Sequence, residues 1–387
     1  MAGRGSFEVE CCSYRTSRYF YIAPRHKIPL SIKKSSPNPS GHRTQGTNTM
    51  KTTLLTGISG YIGLHCAKEL LDSGYAVRGT VRSQAKGQEV RETLAAASVD
   101  TTNLSIVELD LASDRGWNDA AAGCDFVMHV ASPFVIANPK NPQDMISPAV
   151  DGTLRALRAA KKVGVTRVVL TSSVLSMMGS MKTGTFGPSH WTDVAAPDVS
   201  TYTKSKTLAE KAAWDFISEQ DGDTPMELTV IAPGGVFGPP LGRNISGQSM
   251  SMLDQMLRGK VPMVPKTAFP MVDVRDVAKL HVQALTLPEA TGKRIIAASA
   301  QPNGFQSAAQ LLKDEGYKGP STRIAPNFLL RLMAKFDREA KGMIGLLGMH
   351  LSADNSETRN LFNWTPILFK QSVLETAAAL QEIQGKA

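Results

Sequence analysis

The sequence predicts an α/β fold, a Rossmann-type doubly wound parallel sheet with a smaller, mostly helical C-terminal lobe. Three observations predict it. Short β-branched runs alternate with helix-length segments from Met50 onward. The first strand-to-helix junction, in "KTTLLTGISGYIG", carries three glycines spaced three apart. The spacing between successive runs leaves room for a crossover helix, which is what parallel pairing needs.

The elements follow in chain order. Residues 1–49 hold eight Lys or Arg against Glu8 and Glu10, so +6 of the chain's +9 lies ahead of Met50. This Ser-, Pro- and Arg-rich leader lacks the apolar pattern needed to order itself. It reads either as an organelle transit peptide or as an upstream artefact with Met50 as the start, the second placing the protein in the cytoplasm. The +3 left for the body is ordinary for a metabolic enzyme and argues against nucleic-acid binding. Apolar runs such as "RIIAASA" and "DFVMHVA" fall well short of the roughly 18 residues of a membrane span. Cys11, Cys12, Cys66 and Cys124 have neither metal-ligand spacing nor the spread of a disulfide framework, so reduced thiols are expected and no metal.

Strands are expected at "TTLLTG" from Thr52, "YAVRGTVR" from Tyr75, "LSIVELD" from Leu104, "DFVMHVA" from Asp125 and "RVVLTSS" from Arg167. Helical stretches between them include "IGLHCAKELLDSG" and "PAVDGTLRALRAAKKVG", the latter stopped by Gly164. The chain divides near residue 240: residues 50–240 alternate strand and helix, and 241–387 are mostly helical with no motif of their own. Segments near 271–300, together with strands near "ELTVIAP" and "RIIAAS", are expected to return to the main domain.

A strand running into "TGISGYIG" and then a helix gives each glycine a task. Gly57 permits the tight turn, Gly60 lets the backbone approach a pyrophosphate, and Gly63 lets the helix pack on the strand. The phosphates then lie at the helix N-terminus, beside Ser59, Tyr61 and Ile62. The second strand ends "GTVRSQAK", with Arg82 where an NAD-binding chain carries an acid, so NADPH/NADP is the expected cofactor. Ser83 and Lys86 are candidate helpers, whereas Arg78 sits mid-strand and is expected only to snorkel.

The chemistry is expected in "STYTKSKTLAEKAAWDF". Tyr202 and Lys206, four apart, share a helix face about one turn apart. A fixed ammonium beside a Tyr favours its phenolate and lowers its pKa, making Tyr202 a usable proton donor to a carbonyl that receives hydride. A third member comes from "RVVLTSSV" at the C-terminal edge of the fifth strand. Ser173 there would hold the developing oxyanion, with Ser172 and Thr171 as alternatives.

In combination these motifs resemble the extended short-chain dehydrogenase/reductases, and within them the dihydroflavonol 4-reductase-like reductases. "TGISGYIG", "VRGTVRS", "LDLASDRGW", "VMHVASPF", "VVLTSSV", "YTKSKTLAEKAAWDF", "APGGVFGPPLG" and "MVDVRDVAKLHVQAL" follow the family's order. The resemblance runs from about Lys51 to the C-terminus. It implies that Ser173, the second serine of "TSS", is catalytic, with Tyr202 the acid, and that Lys206 also holds the nicotinamide ribose. It further implies that residues 50–240 form the NADP-binding domain and 241–387 the substrate-binding lobe, and that Asp110 and Leu111 lie by the adenine. Val130, Ala131 and Ser132 would line the nicotinamide side, and Pro233 and Val236 the cofactor's other face.

Two departures bear on substrate. Met178 stands five residues past Ser173, where plant flavonoid reductases carry Asn, and "DVSTYTK" replaces the "NWYCY"-type signature of cinnamoyl-CoA reductases. The expectation is therefore an EC 1.1.1.- oxidoreductase acting on an aldehyde or ketone, dihydroflavonol-like or smaller, as a monomer or homodimer. Met177, Met178, Met181, Phe186 and Trp191 are read either as a flexible apolar pocket lining or as loop packing. Rival readings are a nucleotide-sugar epimerase/dehydratase or 3β-hydroxysteroid dehydrogenase-like enzyme and, from another class, a non-catalytic NADPH sensor. The epimerase would favour an acid at Arg82, and the sensor would not need Ser173, Tyr202 and Lys206 together.

Overall fold

The computed structural model describes residues 50–133, 139–221, 225–243, 245 and 247–385; the expected leader, with Cys11 and Cys12, lies outside the described residues. Seven strands form one parallel sheet: β1 (Thr52–Thr56), β2 (Ala76–Val81), β3 (Leu104–Glu108), β4 (Phe126–His129), β5 (Arg167–Thr171), β6 (Glu227–Pro233) and β7 (Arg294–Ala297). Their order across the sheet is β7-β6-β5-β4-β1-β2-β3. The order reverses between β1 and β4, and a doubly wound sheet binds its ligand in the crevice at that switch point.

The strands are apolar on both faces because both faces are covered. Leu54, Val127, Val168, Leu170, Leu228 and Val230 pack with Ala156, Leu157 and Ala213. These last three belong to helices α3 (Gln143–Lys162) and α4 (Thr201–Ser218). Their neighbours Leu55, Met128, Val169, Ile231 and Ile295 point the other way, onto Leu64, Cys66, Leu70 and Val277. That face is covered by α1 (Tyr61–Asp72), α2 (Gln84–Ala96) and α5 (Val274–Ala284). Cys66 and Cys124 are buried free thiols.

Local chemistry fixes the helices that matter for the site. α3 carries Lys161 and Lys162 in its last turn and is followed by Gly164 at φ +78°. The cations suit the helix C-terminus, and only glycine adopts that left-handed conformation without strain. α4 begins at Ser200, whose Oγ accepts the Thr203 N–H at 3.2 Å. Such a cap is worth about 1 kcal/mol, and it sets the first turn, which bears Tyr202.

A further core lies beyond the sheet, where Phe237, Met250, Leu253, Met256, Phe305 and Leu312 pack with Met177, Met178 and Phe186. The open reading of the Met cluster is thereby decided for Met177, Met178 and Phe186, which are packing rather than pocket lining. The C-terminal helix α6 (Phe369–Gly385) closes this region. Its Thr376 Oγ1 accepts the Gly238 N–H at 2.7 Å, and its Ser372 hydroxyl donates to the Asp273 carboxylate at 2.7 Å. Among the described residues no helix is long and apolar enough to cross a membrane.

Candidate active site

At the β1–α1 junction, close packing and an open face are divided among the three glycines. Gly57 has φ +72°, and a Cβ there would stand 2.8 Å from Ala131 Cα. At Gly63 a Cβ would stand 2.1 Å from the Gly57 carbonyl oxygen. Gly60, the residue before α1, meets only the Gly57 oxygen at 3.3 Å, so this backbone is bare toward the cavity. No side chain caps α1 and no acid sits in its first turn. Its leading N–H groups form an anion-binding end.

The junction is braced from below. The Thr56 hydroxyl accepts the Ala131 N–H at 3.1 Å and bonds His129 Nδ1 at 2.9 Å, while the Gly57 N–H donates to Thr80 Oγ1 at 3.3 Å. Burial pushes His129 down to about 3, so it is a neutral structural partner. Tyr61 also lines the cavity, but its hydroxyl donates to the Gly238 carbonyl at 2.7 Å.

At the end of β2, Arg82 is exposed and makes no ion pair among the described residues. Ser83 Oγ accepts the Lys86 N–H at 3.4 Å, and Lys86 pairs with Glu89 at 2.5 Å. Arg78 does more than snorkel: its guanidinium donates to the Ala120 and Ala122 carbonyls at 2.8 and 2.7 Å. Asp110 Oδ1 accepts the Ala112 N–H at 2.9 Å, which shapes the loop beside Leu111.

The three hydroxyls after β5 go different ways. Thr171 Oγ1 bonds His281 Nε2 at 2.7 Å, and the Ser172 hydroxyl donates to the buried Glu210 carboxylate. Ser173 Oγ accepts the Leu175 N–H at 3.2 Å and keeps its own proton to give. Facing it, Tyr202 and Lys206 lie on α4, and Lys206 Nζ donates to the Thr171 carbonyl at 3.2 Å. Burial lowers Lys206 to about 8, with Glu210 opposing the fall. Burial also pushes Tyr202 up to about 12. The rise comes from loss of solvent alone, so the lowering by Lys206 expected from the sequence is not seen in the protein alone.

The residues expected at the site line one cavity of about 930 Å³, with Glu210, His129 and His281 outside its lining. It brings Gly57, Ser59, Gly60, Tyr61, Ile62 and Gly63 together with Arg82, Asp110 and Leu111. The same walls include Val130, Ala131 and Ser132, then Ser173, Tyr202 and Lys206, and finally Pro233 and Val236. Sequence reasoning missed Thr80, Arg243, Met250, Phe269 and Leu346, which also line it. Thr80 sits within "GTVRS" but was not singled out, and no motif marks the others, since only the folded chain brings their segments to the cleft.

This crevice at the switch point, with a glycine turn at one end and a Ser–Tyr–Lys set at the other, defines a dinucleotide-dependent enzyme of the short-chain dehydrogenase/reductase type. The pattern of the NAD dependent epimerase/dehydratase family matches residues 53–298, and the chain belongs to that family. It is 35% identical over 265 residues to the ketoreductase azaE of Aspergillus niger, covering 63% of this chain and 76% of that protein. To the NADPH-dependent methylglyoxal reductase GRE2 of Saccharomyces cerevisiae it is 30% identical, covering 65% of this chain and 78% of the relative. The solved structure of Gre2 from Candida albicans in complex with NADPH superposes with a TM-score of 0.69 at 27% identity, over 86% of this chain and 99% of that one.

Proposed function

We propose that the protein is an NADPH-dependent oxidoreductase that reduces an aldehyde or ketone to the alcohol, with Tyr202 as proton donor. The observation that carries this reading is the convergence of the bare Gly60 turn, Arg82 and the Ser173–Tyr202–Lys206 set on one cavity. Its similarity to a ketoreductase and to an NADPH-dependent methylglyoxal reductase supports the same reaction class.

The residues fit the cofactor. The uncapped α1 N-terminus would hold the pyrophosphate, and Arg82 the 2′-phosphate through charge-assisted hydrogen bonds. Asp110 and Leu111 would flank the adenine; Val130, Ala131 and Ser132 would line the nicotinamide side, with Pro233 and Val236 opposite. When bound, NADPH supplies the hydride to the carbonyl carbon. Ser173 donates a hydrogen bond to the carbonyl oxygen and holds the charge that develops there. Tyr202, protonated throughout the neutral range, gives that oxygen its proton. Lys206 stays cationic below about 8, which favours proton loss from Tyr202 in the transition state.

We read residues 241–387 as the substrate-binding lobe, since Met250, Phe269 and Leu346 add an apolar wall to the cavity. Such a wall excludes water from the reacting carbonyl and favours substrates with an apolar substituent. A panel of aldehydes and ketones, followed by loss of reduced-nicotinamide absorbance, tests the reading. Turnover with at least one carbonyl is expected. Tight, unreleased NAD or an absence of turnover would turn the reading toward the epimerase or the sensor.

A further inference from the structure

Behind the cavity wall a buried ionic network links the elements that carry Ser173, Tyr202 and Lys206. Glu210 lies on the face of α4 that also carries Tyr202 and Lys206, and it is 1% exposed. Its carboxylate accepts the Ser172 hydroxyl, the Ser176 hydroxyl at 2.6 Å and the Arg294 Nε–H at 2.5 Å. The Trp214 indole N–H donates to it at 3.4 Å. Arg294, from β7, also donates to the Pro188 and His190 carbonyls, each at 2.6 Å, and its guanidinium stacks 3.7 Å from the Trp191 ring centre. One carboxylate thus joins the end of β5, the turn after it, α4 and β7.

Building on the reductase reading, we propose that Glu210 is a positioning residue that sets the placement and the charge of the Ser173–Tyr202–Lys206 group from behind the cleft. Two effects follow from the geometry. Drawing the Ser172 side chain backward fixes the strand end, so that the next residue, Ser173, presents its hydroxyl to the cavity. Placing a carboxylate one turn after Lys206 opposes the loss of its proton. Retaining a buried ion pair here has a local purpose, since such pairs seldom add net stability over an apolar replacement.

Lys206 is faced by Tyr202 and Glu210 on its own helix and by His129 from β4, with His281 of α5 behind Thr171. His129, at about 3, and His281, at about 4, stay neutral across a neutral or alkaline assay range. A change in the alkaline limb of kcat therefore reports Lys206.

The test compares the full-length protein with Glu210→Gln, Arg294→Gln and Ser172→Ala, measuring kcat across pH and NADPH affinity. Glu210→Gln is expected to move the alkaline limb down by about one pH unit, an effect of the size a lost opposite charge produces. At pH 7 kcat then falls only about 2-fold, the deficit grows toward about 10-fold above pH 8 and vanishes at acid pH, and NADPH affinity stays within about 3-fold. Arg294→Gln leaves the carboxylate unneutralised and moves the limb upward. Ser172→Ala lowers kcat several-fold without moving the limb.

A loss that is equal at every pH, or a limb that moves the same way in Glu210→Gln and Arg294→Gln, would overturn the proposal. So would full activity in Ser172→Ala. If Glu210→Gln does not accumulate folded, the direction of the Arg294→Gln shift decides. A wild-type protein without carbonyl turnover would instead overturn the reductase reading itself.

Discussion

The two ends of the cavity are built on different principles. At the proposed nucleotide end, apart from the Arg82 side chain, the determinants are backbone: a left-handed Gly57, a Gly63 with no room for a Cβ, and a helix N-terminus left uncapped. The proposed substrate wall is built instead of side chains, with Leu175, Met250, Phe269 and Leu346 arriving from four separate segments. Backbone geometry restricts residue type tightly, because glycine alone fits, whereas an apolar wall accepts many residues of similar volume. This accounts for a chain whose cofactor end declares itself in one short motif while its substrate end has none.

The comparison can be broken most severely at the reacting groups between the two ends. Tyr202→Phe keeps the ring and removes the proton, so kcat is expected to fall about 100-fold to 10,000-fold. NADPH binding, measured by fluorescence titration, should be nearly unchanged. Retention of more than about a tenth of the turnover would remove Tyr202 from the role of acid.

Next in size is Arg82→Asp. Loss of a charged hydrogen bond is worth about 10-fold to 150-fold in NADPH affinity, while Asp can accept hydrogen bonds from the ribose hydroxyls of NADH. Kinetics with both cofactors should show their efficiencies moving in opposite directions. A ratio that changes less than a few-fold would make Arg82 a solvated strand end and strengthen the epimerase reading.

The glycines separate packing from ligand approach. Gly63→Ala places a Cβ 2.1 Å from the Gly57 oxygen, so it should lower Tm as well as NADPH affinity, at a cost of about 1–3 kcal/mol. Gly60→Ala meets only one atom, at 3.3 Å, and should leave Tm nearly unchanged while weakening NADPH. Calorimetry and titration on the two variants check this, and equal Tm losses would contradict the division of roles.

The mildest test is the pH profile. The cationic form of Lys206 is lost as pH rises through about 8, whereas Tyr202 stays protonated up to about 12. Reduction should therefore be flat below about 8 and decline above it by up to about tenfold per pH unit, through loss of one proton. A rate that holds constant through the alkaline range would argue against a required Lys206 ammonium.

Much of the fold was legible because periodicity and glycine placement are local. All seven strands of the sheet lie in apolar runs recognisable before folding, and "TGISGYIG" announces its own turn. The Glu210–Arg294 pair was not legible: 84 residues separate its partners, and in the sequence each reads as an ordinary charge. Met178 is instructive in another way. Its position five residues past Ser173 points toward substrate, yet the side chain is fully buried in the second core and does not reach the cavity. Spacing along a chain gives position, but the direction of a side chain is decided by what packs against it. The choice among Thr171, Ser172 and Ser173 shows the same limit, since only the partners His281 and Glu210 reveal which hydroxyls are already committed.

The central claim is hydride transfer from NADPH to a carbonyl in this cavity, and isotope transfer tests it most directly. The enzyme would be given NADPH deuterated at the transferable position of its nicotinamide, together with a carbonyl that supports turnover. The account predicts one deuterium on the carbinol carbon of a single product enantiomer, with stoichiometric NADP formation. A product alcohol without deuterium, or a sugar nucleotide isomerised with no net loss of reduced cofactor, would contradict it.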